Sequence, residues 1–282
     1  MPATANRPDR SRIESVPFFP QEDYQCGPAA LAMLLSWSGA QVPPQVLVHQ
    51  VYTPYRQGSL QPGIISAARR HGRLAFVLKG PEALLTELTA GHPVMVLQNR
   101  GLSWHPIWHY AVAVGYDRRD LRMLLHSGRS AYRPVQWSRF LHTWKRSNYW
   151  GLVVLSPGTL PASANEGSYF ESVLGLEEAG QWQGAVVAYA AALNRWPANL
   201  TALIGMANGH IALDDFASAE GALREAVRSH PQSGDAANNL AHVLVLRDKP
   251  GEALPWALRA VAIGGPHREI YRQTLREIEA MR

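Results

Sequence analysis

The sequence predicts an α+β first half, a helix packed on a small antiparallel sheet, followed by an all-α solenoid. Three observations carry this. Helix-like and strand-like hydrophobic patterns mix ahead of the stretch SPGTLPASANEGS at 156–168, and only helical patterns follow it. The runs VMVLQ and HYAVAVGY are rich in β-forming residues, and the second alternates in the strand manner. In the second half, Ala185, Ala219 and Ala253 are 34 residues apart, as are Ala192, Ala226 and Ala260. The expected organisation is a disordered arm over 1–16, the α+β domain over 17–157, a linker over 158–167 and helical repeats with a capping helix over 168–282.

A chain of 282 residues is comfortable for two domains, and a hydrophobic fraction of 46% suits a core-forming protein. No apolar run approaches the ~18 residues of a membrane span, so none is expected. The opening MPATANRPDRSRIES is polar and lacks the apolar centre of a signal peptide. As it stands the chain reads as cytoplasmic; with a trimmed signal it would belong to the cell envelope or periplasm. One cysteine excludes an intramolecular disulfide. Charge is uneven: residues 1–160 carry 17 Lys/Arg against 8 Asp/Glu, and the remainder 10 against 14. The cations are scattered and no nucleic-acid motif accompanies them, so no nucleic-acid partner is expected. The basic half either attracts an acidic substrate or docks on the acidic half; a solvated surface is the plain alternative.

The segments GAVVAYAAALNRWP, SAEGALREAVRSHP and EALPWALRAVAIGGP align without gaps. Small alanines let paired helices approach, and proline ends the second helix of each pair. Helical hairpins are expected at about 168–199, 200–234 and 235–267, with YRQTLREIEAMR as a cap of polar outer face. A concave peptide-binding face is the usual use of such a stack; solubility or dimerisation is the duller one.

The single thiol, Cys26, stands in QEDYQCGPAA ahead of the apolar spacing Leu31, Leu34, Leu35 and Trp37, which predicts a helix stopped by Gly39. Cys26 then lies at the helix N-terminus, where free N–H groups favour a thiolate. Gly27 would leave room for a substrate backbone. Gln21, five residues earlier, offers an amide N–H to a tetrahedral oxyanion, with the Cys26 backbone N–H as second donor. A lone cysteine is otherwise a small buried hydrophobe.

A hairpin over HYAVAVGYDRRDLRMLLHSG, with 117–120 as its loop, pairs Tyr116 with Leu121, Ala111 with His126 and His109 with Gly128. Opposed residues share a face, so His109, Ala111, His126 and Gly128 project to one side and Ser127 to the other. Diagonal neighbours lie at about 5.5–8 Å between Cβ atoms, so His126 could orient the His109 imidazole. Asp117 lies about 26 Å along the strand from His109 at ~3.3 Å per residue, and reads as a turn former.

Gln21, then CGPAA on a helix, then GHPVMVL, then HYAVAVGYD resembles the papain-like cysteine peptidases of the bacteriocin-leader type, over about residues 17–155. The second half resembles tetratricopeptide repeats. The first resemblance implies Cys26 as nucleophile, His109 as general base, Gln21 as oxyanion donor and a peptide or leader-peptide substrate, which in that family is a double-glycine leader. Its third catalytic residue is an aspartate; LLHSG puts His126 at that place, which implies a triad of Cys26, His109 and His126 weakened by the missing charge. A second reading is a catalytically weak peptidase-like binding module on a repeat scaffold.

No cofactor is expected. His105 and His109 in HPIWH lack the glutamate and helix of a zinc motif, so no metal is expected either. Trp37, Trp104 and Trp108 either wall a peptide cleft or pack the core. No phosphate loop, dinucleotide fingerprint or serine elbow is present. The expected partners are a peptide or protein substrate at the thiol and a protein partner on the repeats.

Overall fold

A computed structural model describes residues 1, 7–21 and 25–281. The chain divides into two compact units, Met1–Ala179 and Gly180–Arg282.

The first unit runs β1 (Arg10–Arg12), α1 (Cys26–Trp37), α2 (Pro44–Val51), the short hairpin β2 (Tyr52–Thr53) and β3 (Gly58–Ser59), α3 (Gln61–Arg70), β4 (Leu74–Lys79) and α4 (Pro81–Thr89). It continues with β5 (Val94–Asn99), β6 (Trp108–Asp117), β7 (Arg122–Ser127), β8 (Ser130–Gln136), α5 (Trp137–Lys145), β9 (Trp150–Leu155) and α6 (Glu166–Glu178). The main sheet has the order β4-β9-β5-β6-β7-β8, with β1 paired to the far end of β6, and all its pairings are antiparallel. The unit is α+β, as the mixed patterns predict.

Helix α1 places Leu31, Met33, Leu34 and Leu35 wholly inside, packed against β5, β6 and β9. Each such side chain contributes about 1.5–3 kcal/mol on burial, so α1 is anchored by its middle and its N-terminus is carried rigidly to the sheet. Val94, Val96, Val112 and Val114 are also fully buried. On the opposite face lies α5: Gln98 of β5 donates to Thr143 Oγ1 at 2.7 Å, and Gln98 is paired with His109. His109 and α1 are therefore based on opposite faces of β6.

Residues 7–16 are not a disordered arm; residues 2–6 lie outside the described residues. Strand β1 pairs Ser11 with Tyr116, Arg7 donates to Thr86 Oγ1 at 2.9 Å, and Ile13 and Val16 are buried. Polar composition hid a segment whose backbone completes a sheet edge. The expected linker is likewise fastened. Glu87, fully buried on α4, accepts from the N–H groups of Ala162 (3.1 Å) and Ser163 (2.7 Å) and the Ser163 hydroxyl (2.6 Å), and meets His92 Nδ1 at 2.6 Å. Helix α6, which the repeat reading assigned to the solenoid, belongs to the first unit. Asn165 and Ser168 form its capping box, it packs on α3 and β4, and Arg69 crosses Gly175 to reach Glu178 at 3.3 Å.

The second unit is all helical: α7 (Trp182–Arg195), α8 (Leu200–Ala212), α9 (Phe216–Ser229), α10 (Gly234–Leu246), α11 (Pro250–Ile263) and α12 (Arg268–Ala280). All six of the periodic alanines are fully buried. The turns repeat as well. Gly180, Asp214 and Asp248 take φ of 68°, 57° and 58°, a left-handed conformation that Gly and Asp tolerate. Tyr271 and Ile278 dock α12, with Leu275 packed beside them, while its charged side chains and Ile270 stay outside. Among the described residues, no helix is long and apolar enough to cross a membrane.

Candidate active site

Cys26 is the first residue of α1, following Gln25. The peptide N–H groups of Tyr110, Gly27 and Cys26 itself serve the sulfur. Two distant segments thus meet: the mouth of α1 and the opening of β6, where His109 directly precedes Tyr110. Burial nevertheless pushes the thiol above its usual range, outweighing these amides and the Arg100 guanidinium. This runs against the expected lowered thiol pKa: half-buried under the strand, the sulfur loses more solvation than the helix end restores.

Gln21 is buried, and both ends of its amide are engaged. Its Nε2 donates to the Tyr110 carbonyl at 3.2 Å and its Oε1 accepts from Gly128 N–H at 2.7 Å. Its own backbone N–H donates to the Gly128 carbonyl at 3.0 Å. The amide is held on the same residue, Tyr110, whose N–H serves the thiol. Gly27 has a different purpose from the one expected: a Cβ there would collide with Ser59 of the β2–β3 hairpin. Its bareness seats that hairpin, which Tyr110 Oη also grips at the Ser59 carbonyl (3.1 Å).

His126 does not orient His109. It is fully buried, with Nδ1 accepting the Tyr132 N–H at 3.1 Å and Nε2 at 3.3 Å from the Val16 carbonyl, between the rings of Phe18 and Tyr132. Because Nδ1 accepts, the hydrogen is on Nε2 and the ring is neutral. Burial holds its pKa below the usual range. The reason is register. The hairpin pairs Asp117 with Arg122 rather than Tyr116 with Leu121, and Leu121 turns the chain at φ 50°. An irregularity between Ala113 and Gly115 then takes back one residue, leaving Val112 opposite His126. The net slip is one residue, which exchanges the faces of every side chain beyond it.

Ser127 therefore reaches His109: its Oγ is 3.0 Å from His109 Nε2. Arg100 Nη2 donates to the same oxygen at 2.7 Å. Sequence reasoning missed both residues, Ser127 through the register and Arg100 because nothing in LQNRG marks it. Burial, then the charges of Arg100 and Arg133, push the His109 pKa down to about 3. Burial thus disfavours the charged form of both Cys26 and His109. Around it, Trp104 is 80% exposed and Trp108 48%, so they are rim residues rather than core, whereas Trp37 belongs to the far end of α1.

Residues 13–151 match the sequence profile of the Peptidase_C39 like family. The first unit is a C39-like peptidase domain. Residues 204–267 match a tetratricopeptide repeat profile, so the C39-like domain is joined to tetratricopeptide repeats. No curated protein matches the chain. Among solved structures, a putative C39-like peptidase from Bacillus anthracis is 19% identical, with a TM-score of 0.44 over 51% of this chain and 97% of that one. A double glycine motif protease from an AMS/PCAT transporter, in complex with the leader peptide, is 22% identical, with a TM-score of 0.40 over 51% and 93%. The TPR2B domain of yeast Sti1 in its pHsp70 complex is 17% identical, with a TM-score of 0.39 over 41% and 97%.

Proposed function

We propose that the chain is a cysteine peptidase in which Cys26 is the nucleophile and His109 the base, with the helical repeats recruiting the peptide substrate or a protein partner. The observation that carries this reading is the meeting of the only thiol with the N–H of Tyr110, next to a histidine held through its Nε2.

The Cys26 thiol passes its proton to His109 as sulfur attacks the scissile carbonyl. The oxyanion takes the Cys26 N–H at the helix end and the second hydrogen of Gln21 Nε2, whose first is fixed on Tyr110. His109 returns the proton to the leaving amine, then deprotonates the water that clears the thioester. Ser127 replaces the carboxylate of the usual third position as the group holding Nε2, and His126 has no part in the chemistry. Gln21 is positioned twice over, through Tyr110 and Gly128, so little ordering remains for the transition state.

The test is a peptide aldehyde or vinyl sulfone followed by mass spectrometry, on wild type and His109→Ala. An adduct on Cys26 that forms faster than on a free thiol, and slows in the variant, supports the reading. Free-thiol reactivity in both proteins would leave the binding-module reading, which the raised thiol pKa favours.

A further inference from the structure

The hydrogen-bond chain Arg100–Ser127–His109 has a direction. Ser127 Oγ accepts from Arg100, and its own hydroxyl hydrogen has one partner among the described residues, His109 Nε2. Nε2 is then the acceptor, and the ring hydrogen sits on Nδ1, the ring nitrogen that Ser127 leaves unengaged. A ring in that state cannot take the thiol proton through Nδ1. Register adds a second cation on the same face. Ala113, on the His109 side of β6, is paired with Leu125, and Leu125 with Arg133. Among the described residues neither arginine has a carboxylate partner, although both act on His109.

We infer that Arg100 and Arg133 form a carboxylate-binding subsite beside the thiol, and that an acidic group of the substrate draws Arg100 off Ser127 and so completes the catalytic site. This deepens the peptidase reading and rests on it. The protons balance. The carboxylate accepts the Arg100 N–H and the Ser127 O–H, leaving Ser127 Oγ free to accept. The neutral ring exchanges its hydrogen with water from Nδ1 to Nε2, with no net gain. The thiol proton then moves to Nδ1, and the imidazolium donates Nε2–H to Ser127 Oγ while sulfur attacks. A neutral substrate leaves the resting tautomer in place. The basic balance of residues 1–160 adds long-range attraction of the same sign.

Cys26 is the only cysteine, so its alkylation reads the site directly. Iodoacetate and iodoacetamide share a leaving group and differ in one carboxylate. We expect the iodoacetate-to-iodoacetamide rate ratio in the wild-type chain to exceed that of Arg100→Gln/Arg133→Gln by about 10-fold, and to fall with salt. Glu22→Gln/Asp23→Asn should keep the excess; its disappearance there would assign it to those acids and overturn the proposal. Two peptide pairs separate the sources of the carboxylate: Glu against Gln peptides with amidated ends, and neutral peptides with free against amidated C-termini. A preference in either pair that is lost in the arginine double variant supports the subsite. A ratio equal in wild type and double variant, or equal cleavage within both pairs, overturns it. His109-dependent reactivity without any charge preference sinks this inference alone, whereas free-thiol reactivity unaffected by His109→Ala sinks the peptidase reading beneath it.

Discussion

Ser127 Oγ stands 3.0 Å from His109 Nε2, while its neighbour His126 is buried on the other face of the sheet against Val16 and Tyr132. Gly128 follows and holds Gln21 through two hydrogen bonds. Three successive residues thus secure three parts of the site: the chain leading to the thiol, the imidazole and the amide.

Replacing Ser127 should separate positioning from charge. Ser127→Ala removes one hydrogen bond to the ring, worth about 0.5–1.5 kcal/mol, so the alkylation rate of Cys26 should change less than about 15-fold. Ser127→Asp sets a carboxylate between Arg100 and His109, which favours imidazolium. The pH midpoint of Cys26 alkylation should then move down from its raised resting position, and an unmoved midpoint would contradict the assigned contact.

His126 should matter to stability and not to the thiol. Its folded pKa is lowered, so the unfolded chain binds the extra proton more readily. The stability it contributes is complete above the ordinary histidine value of about 6.5 and is lost as pH falls below it, toward the folded value. His126→Leu, measured by urea unfolding from pH 8 to 5, should cost about 1–3 kcal/mol at pH 8 through the unpaired Tyr132 N–H and flatten that part of the pH dependence. Cys26 alkylation of the folded protein should match wild type.

Glu87 titrates lower. Burial raises its pKa, but hydrogen bonds from His92, Ser163 and Ala162 together outweigh burial and leave it below the usual range. Its stabilisation is present above the unfolded value of about 4.3 and is lost as pH falls through the folded one. Glu87→Gln should therefore lower stability at neutral pH, with the deficit shrinking in acid. Limited proteolysis should begin within 158–165, the segment Glu87 pins.

Gly27→Ala should displace the β2–β3 hairpin, because the new methyl meets Ser59. Overpacking of this kind costs about 1–3 kcal/mol. Ser59→Gly in the same chain removes the colliding atoms and should restore both thermal midpoint and Cys26 reactivity. Failure of that rescue would mean that Gly27 is needed for the approach of substrate.

In the repeats, Ala219→Leu should destabilise the second unit by about 1–3 kcal/mol and the exposed Gly221→Ala should not, since Ala219 is fully buried and a Cβ at Gly221 meets nothing. Urea denaturation of the two variants makes the comparison.

By itself the sequence determined the α1 helix with Cys26 at its head, the paired strands β6 and β7, and the 34-residue repeat. Each is a short-range pattern: apolar spacing, strand alternation, small residues at a fixed period. Only the tertiary structure decided which neighbour touches His109, why Gly27 is bare, where the solenoid's first helix belongs, and that burial raises the thiol pKa. The physical reason is the same in each case. Strand faces invert with a one-residue slip, and a turn at Leu121 and an irregularity near Gly115 together make that slip. The pKa of Cys26 depends on burial beneath a strand more than eighty residues away, which no local pattern encodes.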